Sequence, residues 1–184
     1  MYYVLTFSGP FGFVKPWTAV RDELTFSQQF LTPSIIEGMR QKLQVSDILR
    51  HRLTYEALSI QQEVVHTRGW KVRKKEKRYD RPRAILKRGV LINPSLTLAF
   101  SSLEDAQKAS RQHLCLCRNE DILLPEPNIH EETPDEFHER QGFELIFEAR
   151  HDAFIVGYNR FRQAEPMYGW IYVSEKPLKN EDSI

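Results

Sequence analysis

The residues best suited to bind a charged ligand lie at positions 68–90. This segment holds eleven lysines and arginines against two acids, Glu76 and Asp80, which gives it a net charge of +9. Cations at this density bind phosphate with release of counterions, and Trp70 and Tyr79 can stack on unpaired bases. The pattern favours single-stranded RNA, with a solvated loop as the alternative. The cations are Arg68, Lys71, Arg73, Lys74, Lys75, Lys77, Arg78, Arg81, Arg83, Lys87 and Arg88.

A glycine-rich turn near the N-terminus is a second candidate for anion binding. Gly9, Pro10, Phe11 and Gly12 follow an apolar run, and the backbone amides of such a turn can approach an anion. A purely structural turn is the alternative interpretation. Ser34 begins a predicted helix, whose N-terminal amides offer another anion site. Other candidate RNA contacts beside the turn are Phe13, Lys15, Trp17 and Arg21.

Catalytic and metal-binding patterns are sparse. His66, beside the basic segment, is the one histidine placed for metal-free RNA cleavage, in which a histidine can act with lysine and tyrosine, although a simple loop residue is the alternative. His113, Cys115 and Cys117 alternate along a predicted strand, where such residues stand about 6.5 Å apart and a fourth ligand is missing, so we expect no metal site. Neither nucleotide-binding glycine fingerprint occurs, and we expect no cofactor.

Negative charge is concentrated in another part of the chain. The 184 residues have a net charge of +1, so those outside positions 68–90 sum to −8. Much of this lies in residues 119–142, which Pro125, Pro127 and Pro134 indicate to be a long acidic loop. One segment is therefore expected to hold phosphate while the other repels it.

Composition also bears on location. The sequence has no run of eighteen apolar residues, and its first residues do not resemble a signal peptide. Cys115 and Cys117 are too close for an ordinary disulfide. We therefore expect a cytoplasmic protein with no membrane partner, folded as one domain over residues 1–184.

Hydrophobic patterning predicts the elements that would position these residues. An apolar run at residues 2–7 predicts a buried strand, and helical spacing predicts helices over residues 33–44 and 103–113. Residues 46–60 are predicted to be mostly strand. The apolar stretches that flank the basic segment predict a long β-hairpin with a basic tip.

The rest of the chain predicts additional strands. Alternation at residues 113–117 predicts one strand, and residues 143–148, 153–158 and 168–173 predict three more, before a frayed end from Ser174. This order indicates an α+β fold with a ferredoxin-like or RRM-like core, an inserted β-hairpin and a C-terminal antiparallel β addition.

Several of these segments, taken in order, resemble the fifth family of CRISPR-associated proteins, which belongs to the RAMP superfamily. The matching segments are residues 8–13 (SGPFGF), 24–26 (LTF), 31–39 (LTPSIIEGM) and 114–121 (LCLCRNED). The last resembles a strand that ends in glycine, arginine, serine and an acidic residue, with Cys117 where the family has the glycine.

The resemblance implies a ferredoxin-like core with a protruding thumb hairpin at about residues 62–91, and a role in capping the 5′ handle of CRISPR RNA. It implies that residues 9–13 and the start of the first helix contact the handle, and it adds Arg118 to the contacts. The thumb would displace a base and meet the first backbone RAMP subunit. A large subunit or effector nuclease is a further possible partner, and target nucleic acid an indirect one.

Three functions follow from these observations. The leading hypothesis is a non-catalytic RNA-binding subunit of a class 1 CRISPR ribonucleoprotein complex, which caps the crRNA 5′ handle and nucleates the backbone subunits. The second is a metal-independent endoribonuclease that processes precursor crRNA, with His66 as acid or base, although no positions match the tyrosine, lysine and histidine triad of the cleaving branch. The third is a general single-stranded RNA-binding module.

Overall fold

A computed structural model describes residues 1–16, 24–65, 69–81, 83–159 and 162–179. The described residues form strands and helices in an α+β fold, as predicted. A short 3₁₀ turn, Lys74–Glu76, joins the sixth and seventh strands. The elements in chain order are β1 (Tyr2–Ser8), β2 (Phe11–Gly12), β3 (Leu24–Phe26), α1 (Pro33–Leu43), β4 (Arg50–Thr54), β5 (Ala57–Val65), β6 (Lys71–Arg73), β7 (Arg78–Asp80), β8 (Ala84–Ile92), β9 (Ser95–Phe100), α2 (Leu103–Ala109), β10 (Leu114–Cys115), β11 (Ile122–Glu132), α3 (Pro134–His138), β12 (Phe143–Ile146), β13 (Phe154–Asn159) and β14 (Glu165–Val173).

The largest sheet has eight strands in the order β10-β11-β1-β9-β4-β12-β14-β13, and every neighbouring pair is antiparallel. Alternation along β1 separates its two faces. Leu5 and Phe7 belong to the main core with residues of α1 and α2, whereas Val4 packs with Phe137 of α3. The central strand β9 is buried along its whole length because both faces are covered.

Both long predicted helices begin where the sequence indicates. α1 starts with Pro33 at its first position and ends at Leu43, where Gln44 adopts a left-handed conformation. In α2, the hydroxyl of Ser102 accepts a hydrogen bond from the Asp105 amide. The prediction that this helix continues to residue 113 is wrong, because it ends at Ala109.

The basic segment is carried on a hairpin outside the large sheet. β5 and β8 pair antiparallel over nine positions, from Ala57 with Ile92 to Val65 with Ala84. β2 and β3 also pair with β8, and β6 with β7 forms a separate ribbon between the far ends of β5 and β8. The predicted strand at residues 46–60 is two strands, β4 and β5, separated by buried Tyr55 and exposed Glu56.

The prediction of an acidic loop at residues 119–142 is wrong. Most of it is β11 and α3. The prolines are tolerated because β11 pairs with β10 only at Leu123 and Ile122, which leaves a free edge beyond them, and because its register against β1 shifts between Ile129 and Pro125. Sequence reasoning treated these prolines as strand breakers, whereas on an edge strand they cost little.

The prediction that the chain is frayed from Ser174 is also wrong for residues 174–179. These residues form a strap, a name we use for this segment throughout. The hydroxyl of Ser174 accepts a hydrogen bond from the Gly142 amide, and Thr54 donates its hydroxyl proton to the Pro177 carbonyl. Lys179 donates its amide to Tyr55 and its ammonium group to the Asn93 carbonyl. The strap therefore holds the base of the β5–β8 hairpin.

In the described part of the chain, no α-helix combines the length and apolar composition needed to cross a bilayer.

Candidate nucleic-acid interface

Three predicted RNA contacts meet beside the β5–β8 hairpin, where Arg88 pairs with Gln61 midway along the strands. The ring of Phe13 lies 5.1 Å from the Arg88 guanidinium and 5.9 Å from that of Arg118. Phe13 is only 1% exposed, so its ring belongs to the protein interior and cannot stack on a base. The two arginines lie close to the same buried ring and are the groups at this place that could reach a ligand.

Both arginines already have acidic partners. Arg88 donates to Glu63 at 2.6 Å, and Arg118 donates to Asp121, whose carboxylate also accepts from the Arg118 amide at 2.9 Å. The hydrogen bonds to Asp121 raise the pKa of Arg118. These ion pairs fix the orientation of the two guanidinium groups and lower the local positive charge. The two arginines therefore offer phosphate a contact of fixed orientation but low strength.

The glycine turn is shaped mainly by packing. A Cβ on Gly9 would collide with the Ile122 carbonyl, and one on Gly12 would collide with the Leu116 side chain. The Gly9 amide donates to the Pro94 carbonyl at 3.3 Å, so it is not free to bind an anion. Phe11 is half-buried and Lys15 is exposed. The close approach of β11 to Gly9 and of Leu116, just after β10, to Gly12 therefore explains both glycines without a ligand.

The ribbon and its tip hold the exposed cations. In the described residues, four lysines there make no ion pair, whereas Arg73 and Arg78 both contact Asp80, at 2.6 and 2.7 Å. Trp70 and Tyr79 are each 66% exposed, which leaves their rings available for stacking. The four lysines are Lys71, Lys74, Lys75 and Lys77.

Other predicted contacts lie apart from this ribbon or outside the described residues. Ser34 is exposed at the start of α1, where its hydroxyl lies 3.0 Å from that of Thr32. Arg81 and Arg83 are exposed beyond β7, and Lys87 is half-buried on β8. The predictions for Trp17, Arg21 and His66 fall on residues that the structure does not describe, so they stay predictions.

Within the described ranges, no group of three or more histidine, cysteine or acidic side chains could hold a metal ion. Cys115 and Cys117 are free, exposed thiols, and His113 beside them is also exposed.

Sequence reasoning missed a buried polar cluster between β4 and β12. Glu144 is 1% exposed and accepts hydrogen bonds from Arg50 at both carboxylate oxygens, at 2.6 and 2.8 Å, while Arg52 lies 3.3 Å from Oε2. Burial lowers the pKa of His51 to about 4, so its ring is neutral and accepts from the Leu31 and Leu145 amides. The signal available was three consecutive polar residues, Arg-His-Arg, inside an otherwise ordinary strand.

This cluster is structural. Burial lowers the pKa of Arg52, whose guanidinium lies 4.3 Å from the centroid of the Tyr172 ring and donates to the Phe137 and His138 carbonyls. The contacts join β4, α3, β12 and β14. The cluster therefore fastens the C-terminal strands to the central sheet and does not present a ligand-binding surface.

No protein-family model matches the sequence, and no curated protein matches it. Solved structures do match. One is a chain of a "CRISPR RNA-guided surveillance complex", with a TM-score of 0.54 and 12% sequence identity, over 96% of this chain and 91% of that one. The two chains share a fold. At this identity the likeness speaks for the architecture alone.

Proposed function

We propose that this chain is a non-catalytic RNA-binding subunit of a class 1 CRISPR effector complex, where it caps the 5′ handle of crRNA. The observation that carries the proposal is the correspondence of fold over almost the full length of both chains. The exposed lysines on the ribbon support it independently, because they give the chain a site for RNA phosphates.

The topology of the sheet is consistent with a RAMP-like domain spanning residues 1–184. The strands β11, β1, β9 and β4 lie side by side in that order, with α1 between β1 and β4 and α2 between β9 and β11 along the chain. This is the β-α-β-β-α-β order of ferredoxin-like folds. Along the chain, the β5–β8 hairpin is inserted between β4 and β9. There it would act as the thumb, starting at Ala57 rather than near residue 62.

In this proposal, the thumb supplies the binding energy for RNA. Lysines of the tip neutralise phosphates, and the exposed rings of Trp70 and Tyr79 stack on unpaired bases. Arg88 and Arg118, fixed by their acidic partners beside Phe13, would orient the RNA strand beside the middle of the thumb. A backbone subunit would then assemble against the capped RNA end in the cytoplasm.

A salt titration of RNA affinity tests the proposal. The triple variant Lys74→Ala, Lys75→Ala, Lys77→Ala should bind a crRNA 5′ handle more weakly. If each lysine contacts one phosphate, the slope of log affinity against log salt should fall by about 2, since each contact to a single strand contributes about 0.7. Fluorescence anisotropy at several salt concentrations measures both quantities.

The matched control removes three cations from the helical side of the protein. The variant Lys42→Ala, Lys108→Ala, Arg111→Ala changes the net charge equally at exposed positions. It should keep the wild-type slope. Equal slopes for the wild type and the tip variant would refute the assignment of the tip, and equal affinity for the handle and for unrelated RNA would favour the general RNA-binding module.

A further inference from the structure

The β6–β7 ribbon has two chemically different faces. Side chains alternate between the faces of a strand, so the directly opposed residues Val72 and Tyr79 lie together on one face. The pairs on either side of them contain only charged residues and lie on the other face. These pairs are Lys71 with Asp80 and Arg73 with Arg78.

The apolar face is uncovered. Val72 is 57% exposed and Tyr79 is 66% exposed, and Trp70, one residue before β6, is equally open at 66%. None of the three belongs to a core cluster of the protein. These apolar side chains lie away from both core clusters and contribute nothing to the core. Exposed apolar groups of this kind are typical of a surface that contacts a ligand.

The opposite face and the tip are cationic. Asp80 lies within 2.7 Å of both Arg73 and Arg78, so a single carboxylate orients two guanidinium groups. Residues 71–80 hold six lysines and arginines against two acids, a net charge of +4, which favours a polyanion over a protein partner. The unpaired cations at the tip, among the described residues, are Lys74, Lys75 and Lys77.

We propose that this ribbon binds the end of a nucleic-acid duplex at the point where its two strands part. A terminal base pair presents a flat surface that stacks on the face formed by Val72 and Tyr79. The strand that leaves the duplex then carries its phosphates past the tip lysines to the cationic face. Because the two faces point in opposite directions, a straight single strand covers one of them, whereas a forked duplex covers both.

The position of the ribbon makes this a separate contact from the one beside Arg88, midway along the thumb. β5 and β8 are nine residues each, and extended strands rise about 3.3 Å per residue, so the hairpin is about 30 Å long. The ribbon follows its far end, whereas Arg88, beside Phe13, pairs with Gln61 midway along it. The inference rests on the proposed function, since both place nucleic acid on the same hairpin.

The experiment compares three fluorescent RNA ligands of shared sequence, a forked duplex, a blunt duplex and a single strand, titrated with the full chain. The fork should bind about tenfold more tightly than either of the others, the effect of stacking on one more base pair. The variant Val72→Ser, Tyr79→Ser should lower the affinity for the fork to that for the single strand. A matching set of DNA ligands tells which nucleic acid the ribbon accepts.

An opposed apolar pair lower on the hairpin supplies the control. Val64 and Ile85 face each other across β5 and β8 and are 61% and 52% exposed. The variant Val64→Ser, Ile85→Ser should keep the preference for the fork. A wild-type chain that binds all three ligands equally, or a preference that survives in the ribbon variant, overturns the inference. If the wild-type chain binds the crRNA handle but shows no preference for the fork, the proposed function stands and the inference fails. If the wild-type chain binds none of the RNA ligands, both the proposed function and the inference are refuted.

Discussion

Three polar groups converge on Glu144 inside the sheet, and this residue should be essential for stability. Replacing it with glutamine removes the charge that Arg50 and Arg52 share in a nearly dry environment. Breaking a buried pair in this way costs about 3–5 kcal/mol, because the remaining charges stay buried without compensation. We expect Glu144→Gln to lower the free energy of unfolding by about that amount, measured by urea denaturation.

An exposed pair provides the comparison for this prediction. Glu37 contacts Arg40 at 2.8 Å on the surface of α1, where the hydrogen bond from Arg40 lowers the pKa of Glu37 to about 2. Surface pairs of this kind contribute at most about 1 kcal/mol. Glu37→Gln should therefore have a small effect, and equal losses in the two variants would contradict a buried structural role for Glu144.

The types of the candidate binding residues were easier to predict from the sequence than whether their side chains are free to contact a ligand. Arg118 was singled out through a family resemblance, yet it is held by Asp121. The sequence predicts that Phe13 contacts RNA, yet its side chain is buried. The burial of Phe13 depends on contacts with segments distant in sequence, which local patterning does not contain. The partner of Arg118 is only three residues away, but its geometry depends on how the turn after β10 folds. The exposure of the ribbon residues, whose neighbours are local, agrees with the sequence pattern, and their role in RNA binding stays a prediction.

Among the elements, α1 contains a correctable weakness. Gly38 lies in the interior of this helix, and a Cβ there would meet no atom within 4 Å. Glycine in a helix interior costs about 1 kcal/mol relative to alanine. Gly38→Ala should therefore stabilise the protein by about 1 kcal/mol, measured as a rise in Tm or in the urea midpoint.

A second glycine shows the opposite behaviour and serves as the control. Gly142 has a φ of +120°, and a Cβ there would collide with the Leu53 carbonyl. Gly142→Ala should therefore destabilise the protein. Stabilisation by both substitutions, or by neither, would mean that the space around these residues is not as described.

Local signals explain which elements were predictable. α1 has a proline at its start and apolar residues at helical spacing, so its bounds followed from the sequence to within one residue. β11 did not, because its prolines and acids are typical of loops. Its place on an open edge depends on pairing with β1, more than a hundred residues earlier in the chain.

For the whole molecule, the proposal predicts binding without chemistry. Acid–base cleavage of RNA needs groups that exchange protons within hydrogen-bond reach of one phosphate. The proposed function requires no such groups of this chain. Repeat-containing RNA incubated with the purified chain in EDTA should therefore remain intact on a denaturing gel.

A specific cleavage product would reverse this conclusion if His66→Ala abolished it. His113→Ala is the matched control, because His113 is exposed and follows the basic segment in the chain, whereas His66 directly precedes it. A product lost in the first variant and retained in the second would assign the chain as an endoribonuclease.

The strap has a consequence for the order in which the chain matures. Residues 174–179 tie down Thr54, Tyr55 and Asn93, all of which leave the ribosome long before them. During synthesis the β5–β8 hairpin can pair its strands before the strap can form its hydrogen bonds at the root. We therefore expect the root of the hairpin to reach its final set of hydrogen bonds only after residues 174–179 have been synthesised.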